Sequence, residues 1–343
     1  GVRSDRWDFT VALAGNPNTG KSTVFNALTG LRQHTGNWPG KTVTRAEGYF
    51  TVGGDRFRLV DLPGTYSLQA ASVDEEVARD ALLFGAPDVT VLVLDATQLE
   101  RNLNLALQVL EITSRVVVCL NLMDEARRRG IGVDPAALAR ELGVPVIPAA
   151  ARRDEGMDAL REAIRHVARG ALVPTPVRAQ SFAPEVAALL GEAEACVRAA
   201  EPARPNARWI ALRLLDGDER VAATVPAAVA RAVDALRWRL PSDFHDRLAA
   251  GLFADAERLA ARAALQGVRK ARFDLDRTLD AWLTSPATGI PMMVFLLGVV
   301  FWLTIAGANV PSGLLGDLLV DRGHAWLREG AVALGAPAMV SQK

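Results

Sequence analysis

Between residues 8 and 168, short apolar runs alternate with longer segments whose apolar residues recur at helical spacing. Strands are predicted over residues 9–14, 45–52, 56–61, 89–95, 116–121 and 144–148. Helices are predicted over residues 21–28, 74–84, 101–112, 135–142 and 157–168. This alternation is typical of an α/β domain, a mostly parallel sheet with helices on both faces. The almost entirely apolar runs VTVLVL and VVVCL suit its central strands.

The pattern changes beyond a linker at residues 172–179, which contains two prolines. Residues 181–282 are rich in Ala, Leu and Arg at helical spacing, which predicts a small all-α domain. No Asp, Glu, Lys or Arg occurs from residue 281 to 316, and residues 290–308 are almost wholly apolar. As a helix, this run would span roughly 28 Å, close to the hydrocarbon thickness of a bilayer.

We therefore predict three parts. Residues 1–172 form a nucleotide-binding domain, residues 173–282 a helical spacer, and residues 283–343 the start of a transmembrane domain with one span at about 290–308. Because a single span cannot enclose a transport path, we expect the sequence to be cut off inside a membrane domain.

Charge and cysteine content exclude several classes of protein. The 343 residues carry 39 basic and 39 acidic side chains, so a bulk basic surface for nucleic acid is not expected. Cys119 and Cys196, with four scattered histidines, cannot make a disulfide framework or a zinc ribbon. Lysine occurs only four times, which makes a lysine inside a motif informative.

The sequence GNPNTGKS at residues 15–22 fits the pattern G-x-x-x-x-G-K-[ST] between a predicted strand and a predicted helix. Its glycines let backbone N–H groups point at phosphate oxygens. Lys21 supplies a charge for the β- and γ-phosphates, and the Ser22 hydroxyl can bind Mg²⁺. Nucleotide contacts are expected from Gly15, Asn16, Pro17, Asn18, Thr19, Gly20, Lys21, Ser22 and Thr23.

A second motif, DLPG at residues 61–64, ends another predicted strand. Asp61 can hold Mg²⁺ through water, and the Gly64 N–H can sense the γ-phosphate. Residues 35–42 before it are polar and glycine-rich, which predicts a mobile loop. Thr42 would complete the Mg²⁺ shell only when a γ-phosphate is present, as in a nucleotide-dependent switch. Thr44 is the alternative, although it belongs to the next predicted strand.

A third motif, NLMD at residues 121–124, again follows a strand. Asn121 and Asp124 can recognise the guanine edge, because the carboxylate accepts from the ring N–H and the exocyclic amine. Adenine offers no such pair of donors, so the motif favours GTP over ATP. A fourth and weaker motif places Ala150 and Ala151 where a backbone N–H can contact guanine O6.

The segments GNPNTGKSTVFNALTG, TGNWPGKTV, DLPGTYSL followed by DEEVARD, and NLMD resemble the ferrous iron transport protein B family of bacterial membrane proteins. The resemblance follows the whole chain in order. It implies a GTPase fused to a Fe²⁺ permease of the bacterial inner membrane, with residues 1–280 in the cytoplasm. It also implies that the helical domain relays nucleotide state and affects GDP release, and that small cytoplasmic proteins are partners.

The resemblance further implies roles for individual residues. Lys21, Ser22, Thr42 and Asp61 would hold phosphate and Mg²⁺, and Asn18 would bind K⁺ where other GTPases place an arginine. Lys21, Asn18, Thr42 and Gly64 form the expected catalytic group.

Thr65 follows Gly64 where many GTPases have a water-orienting glutamine, so slow hydrolysis aided by a monovalent cation is expected. Ala150 and Ala151 stand where Ser-Ala is usual in the family, which makes faster nucleotide exchange plausible.

Two other functions stay open at this point. A soluble GTPase acting on ribosome or tRNA would need a basic RNA-binding face and would not need the uncharged run at residues 281–316. A nucleotide-dependent switch without transport of its own is the third reading of these 343 residues.

Overall fold

A computed structural model of the chain describes residues 7–30, 33–38, 41–69, 72–178, 182–204, 206–265 and 285–316, with residues 323 and 326. Residues 1–271 form one compact unit, and residues 272–343 form a second. The predicted domain boundary at 282/283 lies outside the described residues.

A seven-stranded sheet forms the centre of the first unit, in the order β2-β3-β4-β1-β5-β6-β7. Strands β4, β1, β5, β6 and β7 are parallel, whereas β2 and β3 are antiparallel to their neighbours. The prediction of a mostly parallel sheet is therefore confirmed. The strands are β1 (Phe9–Gly15), β2 (Gln33–Asn37), β3 (Thr44–Val52), β4 (Asp55–Asp61), β5 (Val89–Asp95), β6 (Val116–Asn121) and β7 (Val146–Pro148).

Helices cover both faces of this sheet. Successive strand residues point to opposite sides, so each face carries apolar side chains that a layer of helices buries. Val11 and Leu13 of β1 pack with one set of helices, and Ala12 between them packs with the other. The first set is α1 (Lys21–Thr29) and α6 (Met157–Ala168), and the second is α2 (Val73–Leu83), α3 (Leu99–Ile112) and α5 (Pro135–Leu142). A short helix α4 (Met123–Arg128) and a 3₁₀ turn (Ala151–Arg153) follow β6 and β7.

The structure corrects three details of the sequence prediction. Residues 35–42 were expected to form a loop throughout, but residues 35–37 belong to β2, which pairs with β3. The sequence QHTGN has no apolar alternation, so only backbone pairing with β3 defines this edge strand. Helix α4 was not predicted because it is only six residues long and rich in charge. Strand β7 begins two residues later than expected.

The helical part is all-α in the described residues, as predicted. It contains α7 (Pro184–Ala200), α8 (Ala207–Leu215), α9 (Glu219–Ala222), α10 (Ala227–Asp234), a 3₁₀ turn (Arg237–Arg239) and α11 (Phe244–Ala263). Helix α11 packs along α3 and α5, and the Asp134 N–H donates to the Ala263 carbonyl at 2.8 Å. Trp209 and Leu252 join the hydrophobic core that covers the α3 face of the sheet. The helical part is therefore packed directly against the nucleotide-binding domain.

The second unit contains a 31-residue helix, α12 (Pro286–Gly316). Over Thr288–Ile305 its mean hydropathy is 2.1, and none of that window is buried inside the protein. The Thr304 hydroxyl donates to the Val300 carbonyl at 2.7 Å, so this polar group is satisfied within the helix. By length and composition, α12 is able to cross a membrane.

Asp55 at the start of β4 joins the β3–β4 hairpin to α6. Its buried carboxylate accepts hydrogen bonds from Arg165 at 3.0 Å and from Arg169. The Arg169 hydrogen bond is the main cause that lowers the pKa of Asp55 to about 2, and Arg165 adds to it. These ion pairs favour the charged carboxylate in the folded protein.

We predict that Asp55→Asn lowers the free energy of unfolding near neutral pH. Because the folded pKa is depressed, the wild-type advantage is complete above about pH 4 and is lost as the pH falls toward about 2. Urea unfolding in mild detergent, followed by tryptophan fluorescence across this range, checks the prediction. Asp158→Asn is the control, because that carboxylate on α6 is 98% exposed. A stability difference that does not depend on pH would contradict the assignment.

Candidate functional site

Four loops that carry the predicted site leave one edge of the sheet. The phosphate loop (residues 15–22) follows β1, DLPG follows β4, NLMD follows β6, and the guanine loop (residues 148–152) follows β7. The carboxyl ends of parallel strands meet at the same edge. The register places Leu13 beside Asp61 and Asp95 beside Asn121. Motifs that are far apart in sequence are thus brought together.

The phosphate loop curls through two residues of positive φ, Asn18 at 65° and Gly20 at 80°. A Cβ on Gly20 would lie 2.4 Å from Asn121 Nδ2, so a side chain at this position would collide with the guanine-recognition motif. A Cβ on Gly15 would lie 2.7 Å from the Val93 carbonyl oxygen. The pattern of glycines therefore reflects close packing as well as the turn.

Asn16 is the unusual residue of the phosphate loop. It is 2% exposed, and its Oδ1 and Nδ2 have no hydrogen-bond partner among the described residues. Its backbone carbonyl accepts from Thr19 Oγ1 at 2.9 Å. An unsatisfied buried amide costs about 1–3 kcal/mol. By contrast Asn18, Ser22 and Thr23 are exposed and open to a ligand.

Asn121 connects the phosphate loop to the guanine loop. Its Nδ2 donates to the Thr19 carbonyl at 3.0 Å, and its Oδ1 accepts from the Ala151 N–H at 3.1 Å. The side chain is buried, with 1% of the residue exposed. The predicted base-reading asparagine therefore also fixes two backbone segments of the site.

Asp124 lies in the first turn of α4, and its carboxylate is 14% exposed. Arg153 Nε lies 3.3 Å from its Oδ2. The Ala150 N–H donates to the Glu155 carbonyl at 3.0 Å, while Ala151 donates to Asn121. Both predicted contacts to guanine O6 thus already have a partner within the protein.

Lys21 and Asp61 form an ion pair at the centre of the site, with 11% and 19% of their side chains exposed. Burial raises the pKa of Asp61, and the neighbouring Lys21 ammonium acts in the opposite direction. The two residues predicted for phosphate and Mg²⁺ therefore neutralise each other in this structure.

The loop before β3 holds Thr42 on the surface. Trp38 N–H donates to the Val43 carbonyl at 2.9 Å, and Lys41 N–H donates to the Trp38 carbonyl at 3.0 Å. Thr42 is exposed, and so is Thr44, which is the first residue of β3. Lys41 Nζ lies 3.0 Å from Glu76 Oε1 on α2. This loop is thus attached to the helix that follows DLPG.

Helix α2 also contacts the helical part through ion pairs that the sequence analysis missed. Arg79 is 2% exposed, and its guanidinium lies 3.1 Å from Asp218 at the N-cap of α9. Arg213 of α8 lies 3.0 Å from the same carboxylate and donates to the Gln69 carbonyl at 3.3 Å. Arg220 contacts Glu76. One hint was present in the sequence. Arg79 lies three residues before Leu82, so both side chains fall on the same face of the helix, and this face is buried.

The donor set at this edge fits Mg²⁺ by its chemistry, since the Ser22 and Thr42 hydroxyls and the Asp61 carboxylate are hard oxygen ligands. In the part of the chain that the structure describes, no group of three or more His, Cys, Asp or Glu side chains could hold another metal. Burial raises the pKa of Cys119 to about 12, so this thiol stays protonated and is a poor metal ligand.

Comparison with known proteins then identifies the family. The family model for ferrous iron transport protein B matches residues 9–164, and that for the FeoB cytosolic helical domain matches residues 182–270. The cytosolic domain of L. pneumophila FeoB is 32% identical with a TM-score of 0.67. The match covers 75% of this chain and 100% of that one. The chain belongs to the ferrous iron transport protein B family.

Other members of the family show how much of a full-length protein is present. The Fe(2+) transporter FeoB of Shigella flexneri is 36% identical in an alignment of 333 residues, and the match covers 93% of this chain and 42% of the relative. The T. maritima cytosolic domain in a GDP form is 34% identical, with a TM-score of 0.65, and the match covers 75% of this chain and 98% of that one. The chain thus spans less than half of its curated relative. Membership in this family favours the transporter-type GTPase over the soluble ribosomal alternative.

We predict that Asn121→Ala destabilises the folded protein by about 1–3 kcal/mol even without nucleotide, because a buried carbonyl and a buried N–H both lose their partner. Urea unfolding in mild detergent measures the effect. Asn121→Asp retains the acceptor for Ala151 and loses the donor to Thr19, so a different stability is expected for it. Wild-type stability in Asn121→Ala would show that the bridge contributes nothing to the fold.

Proposed function

We propose that the chain binds GTP and hydrolyses it to GDP and phosphate, as the nucleotide-responsive part of a Fe²⁺ transporter in the bacterial inner membrane. The observation that carries the proposal is the Asn121 bridge, which joins a phosphate loop to a guanine loop at one edge of a parallel sheet. The GDP-bound structures of relatives support the same nucleotide class.

The phosphate loop would hold the triphosphate through backbone N–H groups and through Lys21. For this, Lys21 must leave Asp61, which frees the carboxylate to hold Mg²⁺ together with Ser22 and Thr42. The metal would neutralise charge on the β- and γ-phosphates. Thr42 would complete the metal shell only when a γ-phosphate is present. This requirement makes the loop the nucleotide-dependent switch.

Asn121 and Asp124 would recognise guanine, with Asp124 accepting from the ring N–H and the amine. Asp124 must then exchange its ion pair with Arg153 for the base. A backbone N–H of Ala150 or Ala151 would have to be shared with O6. The alanine at position 150 removes a hydroxyl contact, which favours faster nucleotide exchange.

Hydrolysis would proceed by in-line attack of water on the γ-phosphate. Thr65 cannot replace a glutamine here, because it is buried and its hydroxyl donates to the Ser67 carbonyl at 2.6 Å. Charge neutralisation by Lys21, by the Gly64 N–H and by K⁺ at the exposed Asn18 would supply the catalysis. Slow intrinsic turnover is the expected consequence.

Residues 1–172 would serve as the GTPase, residues 173–282 as the relay, and residues 283–343 as the entry to the membrane, with one span at about 290–308. The ion pairs that α2 makes with α9 and its N-cap would be the physical route for the relay. Residues 1–280 would face the cytoplasm, where GTP is present. Iron transport would require the remainder of a full-length protein, and small cytoplasmic proteins would be its partners. Taken alone, the chain would act as a nucleotide-dependent switch.

The guanine assignment is tested by Asp124→Asn in the whole chain, purified in detergent. An asparagine has a single acceptor oxygen, so it cannot accept from both the ring N–H and the amine of guanine, but its Nδ2 can donate to the carbonyl that xanthine has in place of the amine. We expect GTP affinity to fall by about 10- to 100-fold, since a charged hydrogen bond contributes about 1.5–3 kcal/mol, and affinity for xanthosine triphosphate to rise. Competition binding with GTP, ATP and xanthosine triphosphate measures this. Wild-type protein that binds ATP as tightly as GTP would refute the proposed function.

The cation assignment is tested by GTPase rates in KCl and in NaCl at equal ionic strength. We expect K⁺ to accelerate the wild-type chain, and Asn18→Ala to give the same slow rate in both salts, because the exposed side-chain oxygen at the phosphate loop is lost. Asn26→Ala on α1 is the matched control and should keep the stimulation. Equal wild-type rates in both salts would remove the role of Asn18.

A further inference from the structure

The segment after DLPG is held by a turn in which the Thr65 hydroxyl is already hydrogen-bonded. Thr65 is 4% exposed, its hydroxyl donates to the Ser67 carbonyl at 2.6 Å, and the same hydroxyl accepts from the Ser67 N–H at 3.2 Å. The Thr65 N–H donates to the Gly15 carbonyl at 3.3 Å. At this position, only backbone groups therefore face the phosphate loop.

The backbone of DLPG lies directly against the phosphate loop. A Cβ placed on Gly64 would lie 3.4 Å from both the Cα and the N of Pro17. A shift of about 1 Å in such a contact can cost a reaction about 100-fold. A residue that holds the Gly64–Ser67 backbone in place can therefore affect the rate of hydrolysis as strongly as a residue that contacts phosphate.

One side chain outside all the motifs fixes it. Gln108 of α3 is 8% exposed, and its Oε1 accepts from the Leu68 N–H at 2.9 Å and from Ser67 Oγ at 3.2 Å. Its Nε2 donates to Asn104 Oδ1 at 3.1 Å, one helical turn earlier. Both ends of the amide are thus satisfied, and its orientation is set by its own helix.

The anchor is also rigid. Helix α3 lies in the core of the sheet face, with Leu103, Leu107 and Leu110 almost fully buried. Leu68 is itself 2% exposed in that core. The Gln108 contacts therefore connect the segment after Gly64 to a helix packed in the core, about 40 residues away in sequence.

We infer that Gln108 is a positioning residue for GTP hydrolysis: through Ser67 and Leu68 it holds the Gly64 backbone at the γ-phosphate side of the site. The inference rests on the proposed GTPase function. It distinguishes Gln108 from a residue that only stabilises the fold, because GDP, which has no γ-phosphate, does not need this backbone position. Losing the anchor should reduce turnover and recognition of GTP while GDP binding is retained.

Three variants of the whole chain in detergent test the inference. Gln108→Met keeps the length and loses the hydrogen bonds, whereas Gln108→Glu keeps an acceptor for Leu68 and Ser67. Asp134→Ala is the stability control, because it removes the N-cap of α5, where the carboxylate accepts from Ala136 and Ala137, and because it lies outside all four nucleotide motifs. For each variant, kcat, KM, GDP affinity and the urea midpoint are measured.

For Gln108→Met we expect kcat to fall by about tenfold or more, GDP affinity to stay within about twofold, and the ratio of affinities for a non-hydrolysable GTP analogue and GDP to fall. Gln108→Glu should recover most of the rate, and Asp134→Ala should lose stability without loss of kcat. If Gln108→Met lowers the urea midpoint as Asp134→Ala does and keeps the wild-type kcat, the residue is only structural and the inference is overturned. A wild-type chain without GTPase activity would instead refute the proposed function.

Discussion

The geometry of the site depends on one amide. Asn121 ends a fully buried strand, and its side chain donates to the carbonyl of Thr19 and accepts from the N–H of Ala151. Because both partners are backbone groups in the two loops proposed to contact phosphate and base, the amide sets the distance between these loops. This arrangement also requires a glycine at position 20, because a Cβ there would collide with the Asn121 amide. Motif residues about a hundred positions apart are thus mutually constrained.

A second constraint concerns charge. Arg79 is almost fully buried, and a buried guanidinium is tolerated only when carboxylates surround it. Asp218 of the helical part supplies one of them, and it is also shared with Arg213. Moving α2 would therefore separate charges in a region with little water. This gives the helix after DLPG a strong preference for the position seen here, and it makes the helical part a component of the nucleotide site's support.

Much of the fold follows from the sequence, because buried parallel strands such as β5 and β6 are continuous apolar runs with clear ends. The strand β2 could not be predicted from QHTGN, since pairing with β3 and not its own side chains defines it. Each of the four motifs was predicted to follow a strand, and the structure brings these strand ends to one edge of the sheet. The hydrogen-bond partners of the motif residues were not predicted. Three features arise from packing between distant segments, for which the sequence offers no periodicity. They are the Lys21–Asp61 pair, the contacts of Gln108, and the buried amide of Asn16, which has no partner among the described residues.

Glu76 of α2 is shared between two cationic side chains from different parts of the chain. A single carboxylate oxygen, Oε1, is contacted by Lys41 from the loop that carries Thr42 and by Arg220 from α9, and the Lys41 hydrogen bond is the main cause that lowers the pKa of Glu76. Two cations on one oxygen repel each other, so departure of either one strengthens the hold on the other. Removal of Lys41 from Glu76 therefore strengthens the ion pair between Glu76 of α2 and Arg220 of α9. By thermodynamic reciprocity, a stronger Glu76–Arg220 pair weakens the Lys41–Glu76 pair by the same free energy. Lys41 and Arg220 therefore compete for one carboxylate. When the loop that carries Lys41 moves away from α2, the contact between α2 and α9 becomes stronger.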